Sequence, residues 1–268
     1  MKIAIISDLH LDMNSKYVDE NLLPVFIAFL QEKQFDILVI AGDISDHVTS
    51  SLSMLDAIER QIDVKVLFIP GNHDVWVKPE ESSWDSYLQF AQHPSSLIGN
   101  PYVLTDDLVI IGDMGWYDYT LAAKHASKED IDEMLTDWGD NKYTNWACDD
   151  LCLTDIMLQK IERQLQMHKD RKVIFATHFI PYSSFVPTGN EYIDWDTCNA
   201  FMGSAKLGNL LDDYKNITCV IFGHTHDRHG ITEYHQKKII CTPLGYIGER
   251  HADVFRRELE KSLIILDV

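Results

Sequence analysis

His224 and His226 stand one residue apart, directly after a glycine that ends the apolar run CVIF. Asp8 and His10, at the same spacing, follow the run IAIIS near the start of the chain. Three further apolar runs end in the same manner: ILVIAG before Asp43, VLFIPG before Asn72 and VIFAT before His178. Collected, Asp8, His10, Asp43, Asn72, His178, His224 and His226 offer two carboxylates, four imidazoles and one amide, with Asp46 and His73 close by. Such a mixed nitrogen and oxygen donor set suits borderline divalent ions such as Mn, Fe, Zn or Ni. Ca and Mg favour all-oxygen shells. The i, i+2 spacing of both pairs sends two side chains to one side of an extended segment. Gly42, Gly71 and Gly223 each precede a donor, where the chain must turn sharply without a Cβ in the way.

Donors this far apart in sequence meet only if regular elements bring them together. The five apolar runs read as strands, and their near-continuous hydrophobicity is expected of sheets covered on both faces. Open α/β sheets gather function at the carboxyl ends of their strands, which is where every donor falls. Apolar residues at three- and four-residue intervals predict helices over 19–33, 48–61, 82–92, 149–168 and 204–214. Pro24 belongs in the first turn of its helix, so that helix starts later than Asp19. After residue 227, HGITEY, KKIICTP and SLIILDV read as antiparallel strands joined by turns. The whole predicts two packed sheets with helices outside.

The bulk properties narrow the function. With 268 residues, 46% of them hydrophobic, the chain can form one large domain spanning 1–268. A net charge of −19 disfavours duplex nucleic acid as a partner, since HKDRK (168–172) and RR (256–257) are short and flanked by acids. No apolar stretch reaches about 18 residues, so no membrane span is expected. The opening run MKIAIISDLH is too short for a signal-peptide core, and a cytoplasmic location is the expectation. Five cysteines, an odd number without CxxC spacing, argue against a disulfide framework. Cys219 and Cys241 read as core, and Cys148 and Cys152 as packing residues of a helix start.

The order of the blocks SDLH, AGDISD, PGNHD, THF and GHTH resembles the signature of the calcineurin-like metallophosphoesterases, and these blocks span residues 8–226. The resemblance implies a four-layer αββα sandwich of two mixed β-sheets with a dinuclear metal centre at strand C-terminal ends. By matching position, Asp8, His10 and His226 hold one ion, Asn72, His178 and His224 the other, and Asp43 bridges. Two such ions about 3.5–4 Å apart share a hydroxide that attacks phosphorus in line. His73 is then the general acid for the leaving alkoxide, oriented by Asp46. The protein-phosphatase branch carries an arginine after the position of Asp46; here it is His47, so a bidentate phosphate clamp is lacking there.

The function expected is therefore hydrolysis of a phosphodiester in a small soluble or nucleotide-type substrate. The alternatives are a phosphomonoesterase and a non-catalytic protein-binding scaffold on the same fold. A DNA-repair nuclease is disfavoured by the acidic balance. Oligomeric state is left open. Residues 113–147, rich in Trp, Tyr and Asp, are read either as an excursion packed on the sandwich or as a lid-like insertion, with KEDIDEM a solvated helix face. Trp116, Tyr117 and Asp118 follow a strand and are candidate substrate contacts, as are His47, Tyr182 and Arg228. Phe185, within a second wall over 180–203, His229 and Arg250 complete the candidates.

Overall fold

The computed structural model describes residues 1–189, 193–250 and 255–268; the side chain of Arg250 lies outside what it describes. The first half runs β1 (Lys2–Ile6), α1 (Leu11–Val18), α2 (Leu22–Gln31), β2 (Ile37–Ala41), α3 (Val48–Gln61), β3 (Lys65–Ile69), α4 (Ser83–Gln92), β4 (Tyr102–Thr105) and β5 (Leu108–Gly112). Then come α5 (Lys128–Asp137), α6 (Gly139–Tyr143), α7 (Asp150–Met167), β6 (Lys172–Ala176), α8 (Trp195–Cys198), α9 (Ala205–Asp213) and β7 (Ile217–Phe222). The chain closes with β8 (Gly230–Tyr234), β9 (Lys237–Cys241), α10 (Phe255–Ser262) and β10 (Ile264–Asp267).

Two sheets result, in the orders β10-β1-β2-β3 and β4-β5-β6-β7-β9-β8. β1, β2 and β3 are parallel, with β10 antiparallel at the edge. In the second sheet β5, β6, β7 and β9 are parallel, while β4 and β8 run antiparallel at the two edges. Side-chain alternation explains why the sheets stack. Ile3, Ile5, Val39 and Ile69 of one sheet share a buried cluster with Ile110, Ile174, Ile221 and Ile240 of the other. Their neighbours Ala4, Ile6, Leu38 and Phe68, and Val109, Phe175 and Phe222 opposite, belong to a cluster with helix residues such as Phe26, Leu55, Phe90, Met157 and Leu211. The apolar runs lack a polar face because each strand has a buried partner on both sides. This is the four-layer αββα sandwich of the sequence reading.

Most helix expectations match closely, the third helix over 48–61 to the residue. Pro24 occupies the third position of α2. α5 buries none of its residues, as a solvated face should. Two expectations need correction. The C-terminal strands form no meander: β8 and β9 are an antiparallel hairpin, but β9 lies parallel to β7, and β10 crosses to the other sheet beside β1. The reason is α10, which intervenes between β9 and β10 and lets the chain pass over to the first sheet. Helix α1 was not anticipated, since its eight residues bury only Leu11 and Asn14 and so show little apolar periodicity. Among the described residues, no helix is long and apolar enough to cross a membrane.

Candidate metal centre and active site

Parallel strands put their carboxyl ends on one edge, and β1, β2, β3, β6 and β7 deliver the candidate donors there. The backbone at that edge is unusual. Asp8, His10, Asp43, His224 and His226 all have positive φ, between 40° and 77°. Asp and Asn visit this left-handed region more readily than most residues, and it turns the chain abruptly out of a strand. Two glycines show how tight the edge is. A Cβ on Gly42 (φ +90°) would run into His178 Nδ1, and one on Gly223 would run into Asp8 Oδ2.

The donors form two groups. Asp8, His10 and His226 offer ligand atoms within 4.8 Å of one another, and so do Asp43, His178 and His224. Asn72 joins the second, its Oδ1 lying 3.1 Å from His178 Nε2. Asp43 Oδ2 lies between the groups, 3.2 Å from His178 Nε2 and 3.6 Å from His10 Nε2. The far atoms of these residues are committed elsewhere. Asp43 Oδ1 accepts from the His73 backbone N–H at 3.0 Å, and Asp8 Oδ1 accepts from the His224 N–H at 2.8 Å. His178 Nδ1 donates to the Ala41 carbonyl (2.9 Å), which can only accept, so Nε2 is the nitrogen turned to the site. His224 Nε2 is likewise given to the Phe201 carbonyl (3.2 Å), leaving Nδ1 for the site. His226 Nδ1 donates to Glu249 at 2.8 Å. Fixing the outer nitrogen in this way orients an imidazole toward a metal.

These residues fit a pair of divalent cations. Asp8 Oδ2 is buried without a hydrogen-bond partner among the described residues. His10 Nε2 and His226 Nε2 face each other at 3.1 Å, two nitrogens that can share one proton at most. Burial, with the charges of His73 and His226, holds His10 well below the usual histidine pKa, and burial beside His178 does the same for His224. Burial opposes charge on Asp43, but His178, His73 and His10 outweigh it and hold its carboxyl well below the usual range.

His73 sits above this floor. Its Nδ1 lies 2.9 Å from Asp46 Oδ1, and Trp76 packs over its ring at a centroid distance of 3.7 Å. Burial lowers its pKa, yet the charges of Asp43 and Asp46 and the Asp46 hydrogen bond prevail and raise it above the ordinary value. Its Nε2 faces a cavity of about 310 Å³ whose walls include Trp76, Trp138, Asp140, Met202 and Tyr246. The Tyr246 hydroxyl is 3.5 Å from that nitrogen.

The sequence-predicted substrate contacts fall elsewhere. Trp116 and Tyr117 stack on each other in the core, and the Trp116 indole donates to Asp150 at 2.7 Å. Asp118 is buried and holds Thr120, with Lys206 at 3.7 Å. Residues directly after β5 enter the helix-covered side of the sheet, where an indole and a phenol gain more from burial than at a wet rim. Tyr182 donates to Asp212 and packs on Tyr234, away from the cavity, and Phe185 packs on Phe222 and His229. His47 caps α3 by accepting from the Thr49 N–H and lines a separate groove with Glu81. Arg228 spends its donors on Glu258 (2.6 Å) and on the carbonyls of Pro243 and Leu244, so it anchors the loop after β9. From the 180–203 segment, of which 190–192 lie outside the described residues, Met202 reaches the cavity. Cys152 is exposed, not packed.

Five residues of the site escaped the sequence reading: Trp76, Trp138, Asp140, Tyr246 and Glu249. Trp76 stands three residues after His73, so proximity to the GNHD block was an available signal. Tyr246 and Glu249 follow β9, whose carboxyl end reaches the donor edge only because β9 is parallel to β7. Trp138 and Asp140 come from the excursion and carry no strand-end pattern.

The fold and its two candidate donor groups are those of a metallophosphoesterase scaffold. Residues 1–228 match the model of the calcineurin-like phosphoesterases, and the chain belongs to that family. It is 26% identical over 248 residues to a probable cyclic nucleotide phosphodiesterase of Coxiella burnetii, covering 91% of this chain and 82% of that protein. A probable cyclic nucleotide phosphodiesterase of Vesicomyosocius okutanii is 23% identical over 240 residues, covering 88% and 83%. Among solved structures, phosphopantetheinyl hydrolase from Mycobacterium tuberculosis superposes with a TM-score of 0.75 at 18% identity, covering 99% of this chain and 95% of that one. A dimetal phosphatase from Danio rerio gives 0.53 at 17% identity, covering 90% and 86%. These two structural likenesses attest the fold.

Proposed function

We propose that this metallophosphoesterase hydrolyses a phosphodiester in a small, flat organic substrate of the nucleotide type. Asp8, His10 and His226 would hold one divalent ion and Asn72, His178 and His224 the other, with Asp43 common to both. Mn, Fe, Zn or Ni suit this donor set. When bound, such a pair supplies an activated water and neutralises charge on the phosphoryl oxygens. The chain's own groups do the rest. Asp46 keeps His73 Nδ1 protonated and its ring aligned, and the Nε2 proton faces the cavity, ready for the departing alkoxide oxygen. Trp76 holds the His73 ring from one side. Trp138, Met202 and Tyr246 give the cavity apolar walls suited to a planar leaving group.

The observation that carries the reading is Asp43 Oδ2, reached from both donor groups within 3.6 Å, beneath His73, which lines an aromatic cavity. A diester is favoured over a monoester because no lysine or arginine is found among the described residues lining that cavity, and a dianion would need such a clamp. The kinship with two probable cyclic nucleotide phosphodiesterases supports a cyclic nucleotide as the first natural substrate to try. The odd number of cysteines without CxxC spacing suits a reducing compartment such as the cytoplasm. The test is a hydrolysis panel of bis-(p-nitrophenyl) phosphate, p-nitrophenyl phosphate and cyclic nucleotides with each of the four metals. Diester preference is expected; monoester preference would make this a phosphatase, and no turnover with any metal would leave a binding scaffold.

A further inference from the structure

Asp140 is a carboxylate with 1% exposure that the family signature does not include. It stands on α6, in the excursion between β5 and α7. Its Oδ1 accepts from the Asn72 side-chain amide at 2.9 Å and from the Trp76 indole at 2.8 Å, and its Oδ2 accepts from the Trp138 indole at 3.2 Å. Three donors, two from the turn after β3 and one from the residue before α6, thus converge on one buried side chain. An asparagine can coordinate a cation only through its oxygen, and its amide could equally be turned the other way. The carboxylate, which only accepts, forces the NH₂ of Asn72 toward itself and the oxygen toward His178. The same two oxygens hold the edges of both tryptophans that wall the cavity.

We propose that Asp140 is a positioning residue that sets the amide orientation of Asn72 and ties it to Trp76 and Trp138, so that ion affinity at the His178 group and the shape of the aromatic wall are adjusted together. The inference rests on the dimetal reading for its ions. It also assigns the excursion a role: α6 carries the pin that joins cation site to substrate wall. Removing a hydrogen-bond partner behind a ligand typically weakens metal binding about 10- to 100-fold. The three donors left buried without an acceptor would in addition cost stability.

Calorimetric titration with Zn²⁺ or Mn²⁺ tests this without recourse to turnover. In Asp140→Asn, one of the two binding events is expected to weaken about 10- to 100-fold while the other is unchanged. KM for an aromatic diester should rise, with kcat recovered at saturating metal. The reciprocal exchange separates positioning from a general structural effect. Asn72→Asp alone sets two carboxylates against each other and should lose the same ion. Asn72→Asp combined with Asp140→Asn restores a donor-to-acceptor pair in the opposite sense, at the expense of the Trp76 hydrogen bond, and should recover part of the affinity. Unchanged affinity for both ions in a folded Asp140→Asn would overturn the proposal, and so would a double variant no better than Asn72→Asp. If the wild-type protein takes up neither metal, the dimetal reading fails instead, and the two outcomes are told apart in the first titration.

Discussion

The floor of the site and its wall are built by different rules. The floor consists of Asp8, His10, Asp43, Asn72, His178, His224 and His226, each within a few residues of the carboxyl end of a parallel strand. The sheets fix where these residues go, so their identities and spacing announce themselves. The wall consists of Trp76, Trp138, Asp140, Met202 and Tyr246, taken from a short turn, a helical excursion and two loops. No periodicity marks such residues, and Trp76, Trp138 and Asp140 are placed by hydrogen bonds to one another. A floor set by topology and a wall set by side chains are specified by different residues and meet at the Asp140–Asn72 hydrogen bond, so one chemistry can serve different substrates where the wall changes away from that bond.

That contrast can be broken most decisively at the floor. Asp43→Ala removes an oxygen within reach of both donor groups. We expect kcat/KM on a diester to fall on the order of 10³-fold or more. A loss below tenfold, measured with metal in excess, would show that the groups work without a shared ligand. Next comes His73→Ala, expected to retain metal and to lose about 10²–10⁴-fold in rate, most with poor leaving groups. Equal losses for p-nitrophenyl and alkyl leaving groups would remove the acid role. At the wall, Trp138→Ala should raise KM about tenfold, in keeping with one lost aromatic contact, with little change in kcat. If kcat falls instead and KM does not move, the wall is part of the machinery and the division between the regions is wrong.

Two smaller effects sharpen the boundary. Arg228→Lys retains charge but cannot reach Glu258 and two carbonyls in one plane, so about 1–3 kcal/mol of stability should be lost in a denaturant titration. Burial opposes the charge of Glu258, but Lys261 and Arg228 hold its pKa below the usual value. A depressed carboxyl stabilises above its unfolded pKa, so the wild-type contribution is present at neutral pH and fades as pH falls through the depressed value. The penalty of Arg228→Lys should therefore shrink in acid. Tyr182→Phe removes only the hydrogen bond to Asp212 and should leave KM unaltered, with at most about 1 kcal/mol lost. A changed KM would extend the wall to that side.

Legibility in the sequence followed the same division. Apolar runs ending in a small residue and a donor marked five strands and the edge where the floor residues gather, because period and turn chemistry act locally. The third helix could be placed to the residue from its apolar spacing alone. Tyr246 and Glu249 were missed through one error of direction: with KKIIC taken as part of an antiparallel meander, its carboxyl end pointed away from the donors. Pairing parallel to β7 brings that end to the site, and long-range pairing of this kind is not written in the strand itself. Trp116 and Tyr117 misled for the opposite reason. They follow a strand just as the donors do, but their bulk is better satisfied beneath α7 and beside Phe179 than at the rim. Asp140 offered nothing to read, since an aspartate on a polar helix looks the same whether it meets water or three buried donors.

The left-handed backbone at Asp8, His10, Asp43, His224 and His226 has one more implication. Residues other than glycine adopt it at a penalty of about 1 kcal/mol or more apiece, and here five such kinks line a single rim. That penalty is met during folding, by the packed sheets underneath, and not at the moment a cation arrives. Ion uptake should accordingly be a quick docking onto a finished cradle, with scant change in heat capacity. By the same token, exchanging one of these five for glycine would discard a ligand and yet relax the chain, so a crippled enzyme could melt later than its alanine counterpart.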